Sequence, residues 1–315
     1  VFESDNAADI KRHIIQNNIY GVDIEKGAVD IARLRFWLAL IIDEKEPMPL
    51  PNLDFKIMQG NSLLESYKGV DLSQMQNEVK RGESVRIKGR RSKQIVVSKP
   101  ELALVFDEKD ALKNIQDLVK KYFDITDHQE RDECRNQINR YIKDYIKKCG
   151  PAIADEVDEL EIPNSQFFLW HTYFADVFEN GGFDIVIGNP PYVNVEGITV
   201  EDKQVYKNRF SCFEKRADLF SLFLEMALTL LSKESGIVTY IIPSVIHSNL
   251  SYKKLRNLFL NNNWLSEVCY TGGKVFHAPT VDTTILRFGK NGNRKIILKN
   301  ALDFDNPQVS SVPSD

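Results

Sequence analysis

Several features of secreted, membrane and metal-binding proteins are missing from this sequence. No apolar run reaches the roughly 20 residues that a membrane-spanning helix needs, and no signal peptide is evident. The four cysteines show neither Cys-x-x-Cys nor Cys/His ligand spacing, which argues against a zinc site or a disulfide framework. We therefore predict a cytoplasmic protein with reduced thiols, no membrane partner and no metal.

The chain also lacks a strong net charge of either sign. Its 41 Lys and Arg residues and 45 Asp and Glu residues give a formal net charge of −4. Any contact with nucleic acid must therefore come from local patches or from other parts of the polypeptide. With 315 residues, of which 43% are hydrophobic, the chain can form one large domain with an insertion, or two domains.

The most informative stretch joins a β-branched apolar run to a proline-rich turn. Phe183–Gly188 has the pattern of a strand buried on both faces of a parallel sheet. Residues 189–192, Asn-Pro-Pro-Tyr, follow at once, and prolines make such a turn stiff because they fix φ and cannot donate to a sheet. Ligands of open α/β sheets bind beyond the carboxyl ends of strands, where this turn would lie.

The residue types in this turn suit chemistry on an exocyclic amine. The Asn189 side-chain oxygen and the Pro190 carbonyl could accept hydrogen bonds from both N–H groups of an amine and fix the direction of its lone pair. The Tyr192 ring offers a flat face on which a base extruded from a duplex can stack. The alternative is a proline-stiffened loop after an edge strand, without a chemical role.

Polar side chains follow two further predicted strands. Residues 19–24 form a short buried strand ending in an acid, Asp23, and a helix is predicted over 26–42. A carboxylate in that position can bind ribose hydroxyls or cap the helix. Residues 55–60 predict another strand, after which Asn61 stands in a polar turn.

The α/β pattern is interrupted over residues 68–165. Residues 79–99 contain eight Lys and Arg against one Glu, and residues 100–150 have long helical periodicity. We predict an inserted helical hairpin with a basic entrance. The basic run could contact DNA phosphates, or it could be a solvated loop.

Beyond the turn, the pattern predicts the rest of a sheet. Residues 193–213 are polar and mixed, which is typical of a mobile loop over a site. An amphipathic helix is predicted over 217–231. The remaining predicted elements are a strand over 236–244, a helix over 252–260, a strand over 265–270 and a terminal hairpin with arms 272–277 and 281–288.

These motifs resemble those of a known family. The Phe183–Gly188 strand with Asn-Pro-Pro-Tyr after it, supported by the phrase from Tyr20 to Ala32, is similar to S-adenosylmethionine-dependent adenine-N6 DNA methyltransferases of combined restriction–modification (type IIG) enzymes. The resemblance covers residues 1–67 and 166–290. It implies an α/β, Rossmann-like methyltransferase sheet with a helical insertion.

The resemblance also implies roles for particular residues and regions. The cofactor-binding residues would be Asp23, Ile24, Asn61, Ser62, Leu63 and Phe223, with S-adenosylmethionine as methyl donor and no metal needed. The catalytic residues would be Asn189, Pro190, Pro191 and Tyr192, with Tyr192 and Phe276 stacking on a flipped adenine of double-stranded DNA. The domains would be 1–67 (cofactor side), 68–165 (insertion), 166–300 (catalytic half) and 301–315 (linker or following domain).

The family pattern further implies that the chain is a fragment. Its glycine-rich cofactor loop would precede residue 1, and a target-recognition part would follow residue 315. The partners would then be double-stranded DNA and the nuclease and recognition parts of the same polypeptide. Two alternatives remain open: the acceptor could be a protein glutamine or an RNA base amine, or the chain could be a catalytically silent scaffold or DNA-binding piece.

Overall fold

The structure, a computed structural model, divides into two compact units. It describes residues 6–42, 50–72, 108–125, 127–273, 275, 281–290, 295–303 and 305–313. Unit 1 comprises Val1–Gly60 and Glu65–Phe174, and unit 2 comprises Asn61–Leu64 and Ala175–Asp315. Within the described ranges, none of the helices combines the length and the apolar character that crossing a bilayer demands.

A two-stranded parallel sheet organises the first part of unit 1. The elements are α1 (Ala7–Asn17), β1 (Gly21–Asp23), α2 (Lys26–Ile41) and β2 (Ile57–Gln59). β1 and β2 pair in parallel, with Val22 opposite Met58. The buried side chains that pack against the sheet are Ile15, Val29, Leu40, Leu53 and Ile57. This is the strand–helix–strand order that the sequence predicts.

The predicted helical hairpin forms the second part of unit 1. A short antiparallel ladder of β3 (Ser66–Tyr67) and β4 (Val70–Asp71) precedes it. The hairpin consists of α3 (Glu108–Asp124) and α4 (His128–Cys149), which pack on each other through buried apolar side chains at helical spacing. Two short helices follow, α5 (Ala154–Asp158) and α6 (Trp170–Tyr173). The basic run over residues 79–99 lies outside the described residues.

One aspartate connects the hairpin to the α/β part of unit 1. Asp54 Oδ1 pairs with Arg33 Nη1 at 3.2 Å, and Asp54 Oδ2 pairs with Arg135 Nη2 at 2.8 Å. The buried Tyr122 hydroxyl of α3 donates to the same Oδ2 at 2.5 Å. Because Arg33 lies on α2 and Arg135 on α4, the carboxylate joins three helices.

A six-stranded mixed sheet organises unit 2. Its helices include α7 (Ala175–Glu179), α8 (Val200–Arg209), α9 (Phe220–Met226), which continues as a π-helical stretch to Leu231, and α10 (Lys253–Asn261). Its strands are β5 (Phe183–Gly188), β6 (Ser232–Pro243), β7 (Leu265–Gly272), β8 (Thr283–Gly289), β9 (Lys295–Asn300) and β10 (Gln308–Pro313). The strand order is β10-β9-β7-β8-β6-β5.

The strand directions match the predicted ending of the sheet. β5 runs parallel to β6, and β8 lies antiparallel between β6 and β7. β8 corresponds to the predicted second arm, 281–288, but its antiparallel partner β7 is the strand predicted separately over 265–270, and most of the predicted first arm, 272–277, lies outside the described residues. β9 adds in parallel to β7, and β10 pairs antiparallel with β9. The predicted α/β class with a Rossmann-like strand–helix alternation and a helical insertion is confirmed.

The prediction that β5 is buried on both faces is wrong. Val186 is 9% exposed, but Ile185 is 63% exposed and Ile187 is 76% exposed. Successive side chains of a strand point to opposite faces, so these two isoleucines share the face that Val186 does not use. Among the described strands, β5 is also at the edge of its sheet, with β6 as its one paired neighbour.

Candidate active site

A glycine places the Asn-Pro-Pro-Tyr turn at the carboxyl end of β5. A Cβ atom on Gly188 would lie 2.9 Å from Cε1 of the buried Tyr240 ring, so the strand can pass Tyr240 this closely only with glycine. Asn189 then stands exposed, while Pro190 is buried. No group in the described part of the chain hydrogen-bonds to the Asn189 amide, which is therefore open to a ligand.

Tyr192 is held at both ends of its side chain. Its hydroxyl donates to the Ile241 carbonyl at 3.1 Å, and its ring meets Phe220 edge-on, with centroids 6.4 Å apart and planes at 81°. Burial raises the pKa of the Tyr192 hydroxyl, which therefore stays protonated and able to donate near neutral pH. The ring remains half-buried, so part of it faces away from the protein.

The segment after the turn contains regular structure. Residues 193–213 are predicted as a mobile loop, but they include a 3₁₀ turn over Val195–Gly197 and the helix α8. The Thr199 hydroxyl caps α8 by accepting from the Asp202 amide at 3.1 Å. The polar composition that suggests a loop is explained by a helix with one buried side chain, Tyr206.

Three of the predicted cofactor residues lie together beside α8. Asn61 Oδ1 accepts from the Leu63 amide at 3.2 Å, and Ser62 and Leu63 are buried. Burial raises the pKa of the Tyr206 hydroxyl, and the nearby Asn61 side chain partly offsets that rise. Arg209 Nη1 donates to the Leu63 carbonyl at 3.4 Å. Sequence reasoning missed both α8 residues, although their spacing of three places them on one helix face.

Another missed residue is Glu225, a buried acid in the apolar helix α9. Its Oε1 accepts from the Ser211 amide at 2.8 Å and the Ser211 hydroxyl at 2.6 Å, and its Oε2 accepts from the Cys212 amide at 2.9 Å. Burial, followed by the nearby Glu225 charge, raises the pKa of the Cys212 thiol to about 12. A single acid within Phe-Leu-Glu-Met is the signal that could have identified this anchor.

Phe223, also on α9, is half-buried, so part of its ring is accessible as a contact surface.

Phe276, the predicted second stacking residue, lies outside the described residues. In the described part of the chain, no three His, Cys, Asp or Glu side chains come together as a potential metal site.

The remaining candidates, Asp23 and Ile24, belong to unit 1. Asp23 is exposed at the end of β1, and its Oδ1 accepts from the Glu25 amide at 2.8 Å. Ile24 is 50% exposed, and its carbonyl accepts from Gln59 Nε2 at 3.0 Å. Glu25 occupies the N-cap position of α2, so the Asp23 side chain turns the backbone before the helix. Its second oxygen has no hydrogen-bond partner in the part of the chain that the structure describes.

The strand order and the exposed Asn-Pro-Pro-Tyr turn define an α/β protein with a candidate ligand site at the carboxyl ends of its strands. Residues 17–276 match the family described as Eco57I restriction-modification methylase. The chain therefore belongs to the Eco57I restriction-modification methylase family.

Known relatives share parts of this chain. RM.MjaORFECS2P of Methanocaldococcus jannaschii, a candidate type II restriction enzyme and methyltransferase, is 26% identical over 317 aligned positions, covering 88% of this chain and 26% of its own length. RM.Eco57I of Escherichia coli, a type II restriction enzyme and methyltransferase, is 32% identical over 129 positions, covering 40% and 13% respectively. The chain thus spans 26% of the length of the first relative and 13% of the length of the second.

Among solved structures, the type I restriction-modification methyltransferase subunit of Streptococcus thermophilus aligns with 54% of this chain and 37% of its own. The identity is 18% and the TM-score is 0.36.

Proposed function

We propose that this chain is the methyltransferase part of a restriction–modification enzyme that methylates the N6 amine of adenine in double-stranded DNA. The observation that carries the proposal is the exposed Asn189 amide at the carboxyl end of β5, which has no hydrogen-bond partner among the described residues, with the half-buried Tyr192 ring three residues later. Family membership supports methyl transfer within a restriction–modification system.

The available side chains fit S-adenosylmethionine. The free oxygen of Asp23 suits a ribose hydroxyl, and Ile24 offers exposed apolar surface next to it. Asn61 would contact the adenine ring of the cofactor, Ser62 and Leu63 would line the same pocket, and Phe223 would lie against the face of the ring. When bound, S-adenosylmethionine supplies an electrophilic methyl group on a sulfonium.

The chain's own residues would position the acceptor amine rather than form a covalent bond with it. The Asn189 oxygen and the Pro190 carbonyl accept the two N–H bonds, and Pro191 keeps the turn rigid. This arrangement favours a tetrahedral nitrogen whose lone pair would point at the methyl group of the cofactor. The turn would therefore catalyse the reaction by orienting the amine and by presenting fixed dipoles to it. Tyr192 stacks on the flipped base, with Phe276 as the proposed second aromatic. The reaction needs no metal.

The wider organisation is also a proposal. We propose that residues 1–67 and 166–300 form the methyltransferase domain, that residues 68–165 are its insertion, and that residues 301–315 lead into a linker or a following domain. The nuclease and target-recognition parts would belong to the same polypeptide, which would act on DNA in the cytoplasm.

The test uses the full-length protein, S-adenosylmethionine with a labelled methyl group, and mixed bacterial DNA. After digestion of the DNA to nucleosides, we expect the label in N6-methyladenine. Label on protein glutamine or in RNA would mean that the same turn acts on a different acceptor, which would contradict the proposal. Absence of any transfer by the folded protein would contradict it as well and would favour a silent scaffold.

A further inference from the structure

The chain leaves the Asn-Pro-Pro-Tyr turn and later returns beside it. The Leu219 amide donates to the Val193 carbonyl at 2.8 Å. Asn194 and Asp218 then face each other in an isolated antiparallel β-bridge. The residues directly after Tyr192 are therefore fixed by the backbone just before α9.

The Asp218 side chain reinforces this bridge with both of its oxygens. Oδ1 accepts from Asn194 Nδ2 at 3.3 Å, and Oδ2 accepts from the Tyr252 hydroxyl at 2.8 Å. Tyr252 is 2% exposed, and its burial and its bond to Asp218 raise the pKa of its hydroxyl, which stays a donor near neutral pH. We call Asn194, Asp218 and Tyr252 the Asp218 cluster.

The same cluster also supports the Tyr192 ring. Phe220 is completely buried and lies between two tyrosines. Its ring centroid is 6.4 Å from that of Tyr192 and 4.9 Å from that of Tyr252. Tyr252 thus contacts both the carboxylate that fixes the exit of the turn and the phenylalanine that supports Tyr192.

The Asp218 backbone adds a third connection. Its carbonyl accepts from the Ser221 hydroxyl at 2.7 Å and from the Ser221 amide at 3.1 Å, which ties it to the first turn of α9. Asp218 is therefore held to a helix on one side and to the exit of the turn on the other. A residue held on two sides can fix the distance between them.

We propose that Asp218 is a positioning residue for the Asn-Pro-Pro-Tyr turn, an inference that rests on the proposed function. Among the described residues it hydrogen-bonds to neither Asn189 nor Tyr192, and it acts by fixing the segment after the turn to Tyr252. Orientation of a reacting amine tolerates little displacement, because a misplacement on the order of 1 Å can cost about 100-fold in rate. Loosening the exit of the turn should therefore slow transfer without weakening cofactor binding.

The test compares Tyr252→Phe, Asp218→Asn and Asp218→Ala in the full-length protein. Tyr252→Phe removes one hydroxyl, Asp218→Asn keeps one acceptor oxygen, and Asp218→Ala keeps none. At saturating DNA and S-adenosylmethionine we expect kcat to fall on the order of tenfold for Tyr252→Phe and further for Asp218→Ala, with Asp218→Asn between wild type and Asp218→Ala. The Kd of S-adenosylmethionine should stay within about twofold of wild type.

The matched control is Tyr122→Phe, which removes a buried tyrosine hydroxyl from an aspartate in unit 1. It should lower stability while leaving kcat unchanged, which separates positioning from general destabilisation. Amide hydrogen exchange over residues 193–195 and 217–219 gives a second readout, since the Asp218 cluster variants should speed exchange there and Tyr122→Phe should not.

Two results would overturn the inference, and they are distinguishable. If wild type methylates adenine and the folded Tyr252→Phe and Asp218→Ala proteins keep its kcat, Asp218 has no positioning role while the proposed function stands. If folded wild type transfers no methyl group to DNA, the proposed function fails and this inference fails with it.

Discussion

A buried tyrosine donates its hydroxyl to an aspartate in each of the two units, but the surroundings of the two pairs differ. In unit 1, the aspartate that accepts from Tyr122 also pairs with Arg33 and Arg135. In unit 2, the aspartate that accepts from Tyr252 has a neutral amide, Asn194, as its other side-chain partner. The first carboxylate is neutralised by cations, and the second is not.

This difference indicates what each pair does. Two arginines from separate helices converge on one carboxylate and join those helices, so the unit 1 network serves stability. The Asp218 cluster in unit 2 lies next to the proposed amine-binding turn and has no arginine among its hydrogen-bond partners in the described residues. We therefore expect it to hold the turn in position more than to stabilise the fold. The predictions below separate these two roles, from the largest expected effect to the smallest.

The largest effect should come from Asn189→Ala, which removes an acceptor in unit 2 without disturbing unit 1. Since the Asn189 amide has no intramolecular partner in the described part of the chain, its loss should leave folding intact. We expect kcat for methyl transfer to fall about 100-fold to 1,000-fold, as for the loss of one preorganised group in other enzymes. The Kd of S-adenosylmethionine, measured by calorimetric titration, should be nearly unchanged.

Asn262→Ala is the control for that variant. Asn262 is an exposed asparagine of unit 2 at the end of α10, and its side chain donates to the Leu258 carbonyl at 2.7 Å. It should keep wild-type turnover. If Asn189→Ala also kept its turnover, the turn would not be the amine-binding group.

The next effect tests the structural role of the unit 1 network. Asp54→Ala leaves the Tyr122 hydroxyl and two guanidinium groups without their shared carboxylate, which should cost about 3 kcal/mol of folding free energy. Urea denaturation of the full-length protein, followed by intrinsic fluorescence, would measure the loss. The protein that remains folded should transfer methyl groups at the wild-type kcat, and a parallel loss of kcat would place the network in the reaction instead.

The contrast between the units also shows how far sequence reasoning reaches. The α3–α4 hairpin and the Gly188 turn follow from local signals, namely a helical period and a strand that ends in glycine and prolines. Both are present where the sequence predicts them. Patterns of this kind are local because the residues that define them are neighbours on one element.

The contacts that matter most for the proposed site are not local. Tyr252 lies 34 residues from Asp218, and neither residue belongs to a motif that predicts their pairing. The exposed face of β5 was missed for a related reason. A strand rich in Ile and Val reads as buried, but its burial depends on which strands and helices cover it, and only the tertiary structure fixes that.

A smaller effect should follow from Tyr206→Phe, which removes the buried hydroxyl that interacts with the Asn61 side chain. The loss of one neutral polar interaction of this kind is worth about 1 kcal/mol, or about fivefold in an equilibrium constant. We therefore expect the Kd of S-adenosylmethionine to rise about fivefold while kcat at saturation is kept. This is the reverse of the Asp218 pattern, so the two variants together would separate cofactor binding from acceptor positioning in unit 2.

Tyr141→Phe is the control for Tyr206→Phe, since it removes a partly exposed hydroxyl from α4 in unit 1. It should leave both the Kd and kcat unchanged. If Tyr206→Phe left the Kd of S-adenosylmethionine as unchanged as this control does, the interaction of Tyr206 with Asn61 would not contribute to cofactor binding.

The smallest effect concerns one cysteine in each unit. Cys149 is exposed at the end of α4, whereas Cys212 is buried, and the pKa of the Cys212 thiol is raised to about 12 by burial and by Glu225. Because the thiolate is the reactive form, iodoacetamide near pH 8 should modify Cys149 and leave Cys212 intact, with methyl transfer unchanged. The slow rate at which Cys212 is labelled, measured by peptide mass spectrometry, should rise about tenfold per pH unit. The reason is that the thiolate fraction grows about tenfold per pH unit far below the pKa. If Cys212 were labelled as fast as Cys149 in the folded protein, the hydrogen bonds from Ser211 and Cys212 to Glu225 would not keep Cys212 buried.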